Sequence, residues 1–415
     1  MRGTGAKGQS PALLMALTVF IDIAGFGLIL PLLPFWALRL GANATQVGLI
    51  LTAYALAQFL FTPIVGALSD RFGRKPVIVL SLLIEALSFA LTALAGSLWL
   101  LLAARFIGGL GASNIGTAQA VIADTTAPEG RARGMGMIGA AIGLGFVVGP
   151  AIGGVLSGVS AGAPFWAAMG VALVNAVLAL ALLPETRKAR VQLENAPAQR
   201  SALLAGWVAA LRQPAVTRLV IVNFLFTLAF TAMEAVYALF SQKVFGWQAP
   251  QNGYIFTYVG VIIVLMQGGV VSQVVKRIGE RATMALGLGL LAAGLLLLPF
   301  SLSLGAMLVA LALLSAGDGA VSPTSSALLS FAAPEGAQGA TLGVAQGVAG
   351  LARVLAPIAA GALFGSSLGI GAPFMFGGAL ALLALLVALP RLSGPRKPLA
   401  PAPAPLEESE SAPIH

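Results

Sequence analysis

The chain has 415 residues, of which 58% are hydrophobic and 9% charged, with a formal net charge of +9. Soluble domains carry roughly 25% charged residues, so a soluble globular class is excluded. Cysteine is absent, so disulfides are excluded as well.

Crossing the hydrocarbon core of a bilayer takes about 20 apolar residues in a helix. In chain order, such runs fall at about 12–38, 45–68, 77–96, 98–120, 134–158 and 164–183, numbered here helices 1 to 6. Helices 7 to 12 follow at about 216–240, 252–274, 283–300, 303–329, 338–364 and 372–390. Merging at 77–120 or 283–329 would lower the count of twelve to ten or eleven. The first run is too long for a signal-peptide core, and no small-residue cleavage site ends it. It is read as a retained span. Four segments are expected: a first bundle at 1–183, a cytoplasmic linker at 184–215, a second bundle at 216–390 and a tail at 391–415. Within the linker, Ser201–Arg212 spaces its apolar residues as an amphipathic or packed linker helix would. The Pro-rich, acidic tail reads as disordered.

Of the 23 lysines and arginines, Arg105 and Arg353 fall inside spans, and Arg39 and Lys243 sit at outer helix ends. The remaining nineteen lie on the side of the N-terminus. That asymmetry puts both termini in the cytoplasm. It also assigns the positive charge to topology and anionic lipid, leaving no reason to expect nucleic-acid binding.

The two halves repeat at an offset of 206 residues: Arg71-Phe72-Gly73-Arg74-Lys75 recurs as Arg277-Ile278-Gly279-Glu280-Arg281, and Ala127-Pro128-Glu129-Gly130 as Ala333-Pro334-Glu335-Gly336. Gly162-Ala163-Pro164-Phe165 recurs three residues later still, as Gly371-Ala372-Pro373-Phe374. Internal repeats of this kind are a feature of secondary transporters with a central site between the halves.

Charges in hydrocarbon cost several kcal/mol unless paired or facing water, so six embedded ones are functional candidates: Asp22, Glu85, Arg105, Glu234, Asp318 and Arg353. Glu85 has apolar neighbours and no base in its own span, which suits a proton carrier. Asp22 lies beside Gly25 and Gly27 in helix 1. Glu234 shares helix 7 with Asn223, Phe226, Phe230 and Tyr237, an acidic and aromatic wall suited to a lipophilic cation. Asp318 and Arg353 form a candidate structural pair. Polar and aromatic residues within spans extend the candidate cavity to Tyr54, Gln58, Phe61, Asn114, Gln119, Tyr258 and Gln346. At the basic end, Asp70, Arg71 and Arg74 can form a gating network with Asp124, Glu129, Arg131 and Arg133.

The segment Gly66, Leu68, Ser69, Asp70, Arg71, Gly73, Arg74, Lys75 resembles the loop signature of the major facilitator superfamily. Leu101 to Gly109, with Arg105, resembles that family's helix 4 motif. Gly139, Gly143, Gly149-Pro150 and Gly153-Gly154 resemble the helix 5 motif of its drug/proton antiporters. Asp22 to Gly27 with Pro31 is similar to the twelve-helix branch that includes the tetracycline exporters, and Glu85 is similar to their helix 3 acid. The resemblance implies an all-α membrane protein: twelve transmembrane helices in two pseudo-symmetric six-helix bundles. It implies that the loop, Gly66 and Gly73 included, locks helix ends together when the carrier faces outward, and that the helix 5 ridge closes the outer interface. With helices 1 and 4 adjacent, as in the family, Arg105 is the expected partner of Asp22, as a structural bridge or a proton-linked switch.

The leading functional expectation is proton-coupled export of amphipathic or lipophilic drugs across the cytoplasmic membrane. Proton-coupled import of a small metabolite is the alternative. An enzyme is not expected, since no span holds a histidine and the glycines of 139–154 do not make a phosphate-binding loop. Nor is any metal or cofactor expected beyond the coupling proton, or any oligomer beyond a monomer.

Overall fold

The structure is a computed structural model that describes residues 11–126, 128–186, 211–334 and 338–389, with the side chains of 11 and 128–133 set aside. Most of the linker, including Ser201–Ala210, and the tail thus lie outside the described residues, as do the side chains of Glu129, Arg131 and Arg133. Every regular element among the described residues is helical. This is what lipid imposes: hydrocarbon offers backbone N–H and C=O groups no partner, so each segment must satisfy its own.

Among the described residues ten helical stretches are long and apolar enough to cross a membrane, and Ala372–Ala388 is a shorter apolar helix. One stretch, Ala249–Phe300, has 52 residues and would span about 78 Å if straight. It turns back at Gly279, where φ is +81°. Twelve crossings result. Gly73 makes the equivalent turn, at φ +107°, between helix 2 (Ala44–Phe72) and helix 3 (Arg74–Ala93). Both positions are in the left-handed region that only glycine enters freely, and they stand one repeat apart.

Other repeat-related positions match as well. Ser97 caps helix 4 by accepting from the Leu100 N–H, and Ser303 caps helix 10 (Leu304–Ala332) by accepting from that of Ala306. Capping boxes start helix 2 (Asn43 with Gln46) and helix 8 (Gln248 with Gln251). Pro150 lies inside helix 5 (Pro128–Ser157) and Pro357 inside helix 11 (Gln338–Phe364).

Three helices are less regular than their hydropathy predicts. Helix 1 runs as Pro11–Ile29 and, after a turn, Leu33–Arg39; Pro31 and Pro34 each remove a ladder donor there. Helix 4 runs as Leu98–Gly111 and Ile115–Thr125 around a 3₁₀ turn at Ala112–Asn114. Helix 8 (Ala249–Leu265) passes into a π turn at Met266–Val270. Apolar content fixes where a span lies, but local interruptions depend on which backbone groups find other partners.

The packing repeats too. Helix 1 packs on 5 and on 6 (Ala163–Leu182), helix 2 on 4, and helix 3 on 4 and 6. In the second half, helix 7 (Pro214–Phe245) packs on 11 and 12, helix 8 on 10, and helix 9 on 10 and 12. The bundles meet along two seams, helix 2 against 11 and helix 5 against 8.

Both seams are tight at the end remote from the basic loops. Gly48 faces the Pro357 backbone, Gly361 faces Ala44, and the Thr52 hydroxyl donates to the Val354 carbonyl at 3.0 Å. On the second seam, a Cβ on Gly253 would lie 2.5 Å from Gly154 Cα, and one on Gly260 3.0 Å from the Phe146 carbonyl. The contacts run down to Gly350 beside Phe59 and Gly143 beside Val264. Beyond those points a side chain on Gly139, Gly268 or Gly347 would touch nothing. The bundles therefore diverge toward the basic end.

The Gly253→Val variant should wedge the helix 5–helix 8 seam, since overpacking against backbone costs about 1–3 kcal/mol. Spin labels on Phe72→Cys and Ile278→Cys, in this cysteine-free chain, should then report a shorter basic-end distance. An unchanged distribution would refute the seam as a pivot.

Candidate functional site

Four helices of the first bundle bring a polar cluster together in its interior. Asp22 (helix 1), Glu85 (helix 3), Arg105 and Asn114 (helix 4) are 8%, 2%, 2% and 5% exposed. Tyr54 and Gln58 approach from helix 2. Gly111 makes room for Glu85, for a Cβ there would lie 2.7 Å from Glu85 Cγ. The 3₁₀ turn exposes the Ala112 carbonyl, which accepts from Gln58 Nε2 at 3.0 Å. The same turn swings Asn114 round, so that its Nδ2 donates to Asp22 Oδ2 at 3.3 Å.

The Asp22 and Glu85 carboxyl groups are neighbours in this cluster and interact electrostatically. Carboxylates only accept, so a hydrogen bond between these two requires a proton on one of them. Arg105 is not joined to Asp22 in an ion pair, contrary to the sequence expectation. Its guanidinium lies over the Tyr54 ring, 4.5 Å from the centroid, with Glu85 as its electrostatic partner. Asn114 takes the place beside Asp22 that the sequence reading gave to the arginine. Glu85 in turn is not a lone acid. Tyr54 stacks on Phe26 at 5.1 Å, and Phe26 meets Phe146 edge-on at 6.2 Å, so an aromatic chain runs from the cluster to helix 5. Arg105 Nε and Nη1, Glu85 Oε2 and Asp22 Oδ1 are buried without hydrogen-bond partners among the described residues. A cluster with both donors and acceptors unspent can exchange partners.

The second bundle holds a cluster of the same inventory, two acids and one arginine, at positions unrelated by the repeat. Arg353 (helix 11) interacts electrostatically with Glu234 (helix 7) first and Asp318 (helix 10) second. It forms no ion pair within contact distance of Asp318 among the described residues, so the expected two-residue bridge is a looser triad. Glu234 and Asp318 are half-buried and Arg353 is exposed, whereas the first cluster is sealed.

The remaining candidates separate by environment. Gln119 and Gln346 are exposed, and Phe61 and Phe230 half-buried; Phe61 meets Phe106 edge-on at 6.3 Å. Tyr258 donates to the Leu308 carbonyl at 3.1 Å, and Asn223 to that of Ala345 at 3.2 Å. Phe226 and Tyr237 do not line open space in this conformation: they are core residues, and Tyr237 packs edge-on against Phe256 at 5.8 Å. The expected aromatic wall thus reduces to Phe230 and Glu234. The helix 5 motif uses two faces. Gly149 and Gly153 press on helix 1 at Gly27 and Leu28, Gly143 and Gly154 meet helix 8, and Gly139 meets nothing.

At the basic end, Arg74 binds Asp70 at 2.6 Å, Asp124 at 3.1 Å and the Ser69 hydroxyl at 2.7 Å. All these partners belong to the first bundle. Arg71 lies 5.1 Å over Phe72. The sequence reading missed Glu185. Its carboxylate accepts from the backbone N–H groups of Arg74 and Lys75 at 3.0 and 3.2 Å, capping helix 3 just after Gly73. A charged residue after Pro184 at the end of helix 6 was the available signal, but its partner lies 111 residues away.

Twelve helices in two repeat-related bundles, with ionisable groups held in each bundle's interior, define a secondary transporter. The chain belongs to the Major Facilitator Superfamily, whose family model matches residues 15–280 and 268–414. It is 32% identical to the class C tetracycline resistance protein of Escherichia coli, over 91% of this chain and 96% of that one. It is 28% identical to multidrug resistance protein 2 of Bacillus subtilis, over 63% and 66%. Among solved structures, the human organic anion transporter MFSD10 (TETRAN) matches with a TM-score of 0.68 and 27% identity, over 92% of this chain and 100% of that one.

Replacing Glu185 with Ala removes a charged cap from a helix N-terminus and should cost about 1 kcal/mol of unfolding free energy. Denaturant titration of the purified protein checks this. No loss would show that the two hydrogen bonds contribute nothing net.

Proposed function

We propose that this protein is a proton-coupled antiporter that exports small amphipathic or lipophilic drugs by alternating access. The observation that carries the proposal is the burial of Asp22, Glu85 and Arg105 together in one sealed cluster. Two carboxyl groups that share a proton, with an arginine one partner away, can load and release that proton as water reaches them. Asp22, Glu85 and Arg105 are assigned the coupling role. Glu234, Phe230 and the exposed glutamines 119 and 346 are assigned the substrate path. The names of the tetracycline and multidrug resistance relatives support export of drugs of that kind, tetracyclines included.

Basic loops mark the cytoplasmic face in this reading, so the structure is inward-open. The loop lock is then disengaged, in keeping with Arg74 finding its partners only within its own bundle. Exposed ion pairs are worth about 0–1 kcal/mol each, enough for a few to bias a two-state carrier. A second reading, import of an organic anion with protons, draws on the MFSD10 match and on Arg353, the most open of the embedded charges.

Protein reconstituted in liposomes under a pH gradient should give proton flux on addition of a lipophilic cation or a tetracycline. Glu85→Gln and Asp22→Asn should each reduce it to the protein-free background, and Glu234→Gln should lower the preference for cations over neutral drugs. Flux evoked only by organic anions, and lost in Arg353→Gln, would favour the second reading. Flux that is indifferent to both carboxyl variants would refute the coupling assignment. Epitope tags at the two termini should be accessible from the cytoplasmic face alone in protease-treated cells; opposite accessibility would overturn the topology.

A further inference from the structure

At the end remote from the basic loops, just beyond the tight contact of Gly154 with Gly253, lies a partly enclosed cavity of about 470 Å³. Its volume is that of a small-molecule pocket. Both bundles wall it: Phe35, Trp36, Arg39 and Ser157 belong to the first, Gln242 and Gln248 to the second. It is far along the chain's axis from the exposed glutamines of the open end, and the closed seam separates the two spaces.

We propose that this cavity is a second ligand site, taking an aromatic or amphipathic organic anion, and that its occupant holds the seam closed. Charge supports the choice of ligand. Segments at this end of the helices, 39–44, 94–98, 157–163, 245–250, 298–304 and 364–372, contain no acidic residue. Arg39 is the only basic residue in them, and Lys243 stands two residues before the fourth. Lys243 is directed over the Phe364 ring at 5.5 Å. Arg39 lines the cavity, is exposed, and has no carboxylate partner among the described residues. A guanidinium binds a carboxylate or sulfonate through paired N–H donors. Around it the cavity offers flat apolar walls from Phe35 and Trp36 and amide donors from Gln242 and Gln248. A rigid aromatic acid of two fused rings matches this set in size and polarity.

State selectivity follows from the walls. Arg39 and Trp36 move with one bundle, Gln242 and Gln248 with the other, so parting the seam pulls the site apart. A ligand that contacts both walls binds the closed-seam state better and shifts the population toward it. This second half of the proposal rests on alternating access; the existence of the site does not.

The test uses the full chain in zwitterionic nanodiscs, with 2-naphthalenesulfonate as probe and 2-naphthalenemethanol and 2-naphthalenemethylammonium as its neutral and cationic counterparts. Calorimetry against empty discs should show one saturable site for the sulfonate. Affinity should fall about tenfold in Arg39→Gln, as for loss of a charge-assisted hydrogen bond, with a smaller fall in Gln242→Leu. The same fall should separate the sulfonate from its counterparts. Equal affinity for all three probes, uptake matching that of empty discs, or indifference to Arg39→Gln would each overturn the site. The sulfonate should also lengthen the distance between labels on Phe72→Cys and Ile278→Cys. Binding without that lengthening would leave the site standing and overturn its hold on the seam. Both results are independent of whether Glu85 carries the transported proton.

Discussion

A charge placed in hydrocarbon must find a partner, a proton or water, and much of the interior of this protein answers that demand. Asp22, Glu85 and Arg105 are gathered from three helices into one sealed cluster. Helix 4 departs from α geometry at Ala112–Asn114 where the cluster needs it. The departure frees a carbonyl for Gln58 and delivers Asn114 to Asp22. The absence of a side chain at Gly111 admits Glu85. Each feature is unfavourable in an isolated helix and becomes useful beside the charges it serves.

The second constraint is the contact between the bundles. Without a hydrophobic driving force in lipid, helix association relies on close van der Waals approach, hence small residues at interfaces. Here Gly48, Gly154 and Gly253 bring backbone against backbone at one end only. A contact of that kind can act as a pivot, because the helices can part or tilt without unlocking long side chains. The first charge cluster lies inside a bundle, away from both seams. A change of protonation there must reach the seams through helix packing, and the Tyr54–Phe26–Phe146 stack is one physical route to helix 5.

The basic end is organised differently. Arg74 and Glu185 tie the turn at Gly73 to the ends of helices 4 and 6, so the loop is a rigid edge of the first bundle. A rigid edge can dock against the opposing bundle as a unit. The second turn, at Gly279, shares the backbone conformation but has glutamate where the first has Arg74. The two bundles thus share a fold and differ in the chemistry at their edges and centres.

The number of spans, their approximate places and the repeat were legible in the sequence, because burial in lipid is a local requirement that each segment meets with its own composition. Gly73 and Gly279 fall between the expected spans, but their backbone turns came only with the fold. The loop and helix motifs pointed to the family on residues that lie close together in the chain. Partnerships were another matter. Asp22 was matched with Arg105 by charge, whereas the folded protein sets Asn114 and Glu85 beside it and lays the arginine on Tyr54. Tyr237 looked like a cavity residue and is core. Glu185 caps helix 3 at the Arg74 and Lys75 N–H groups from over a hundred residues away, a pairing that spacing does not encode. Hydropathy and spacing specify which residues enter the membrane, while the rotation of each helix, and so the groups that meet, is set by packing among twelve helices at once. The tertiary structure alone decided that.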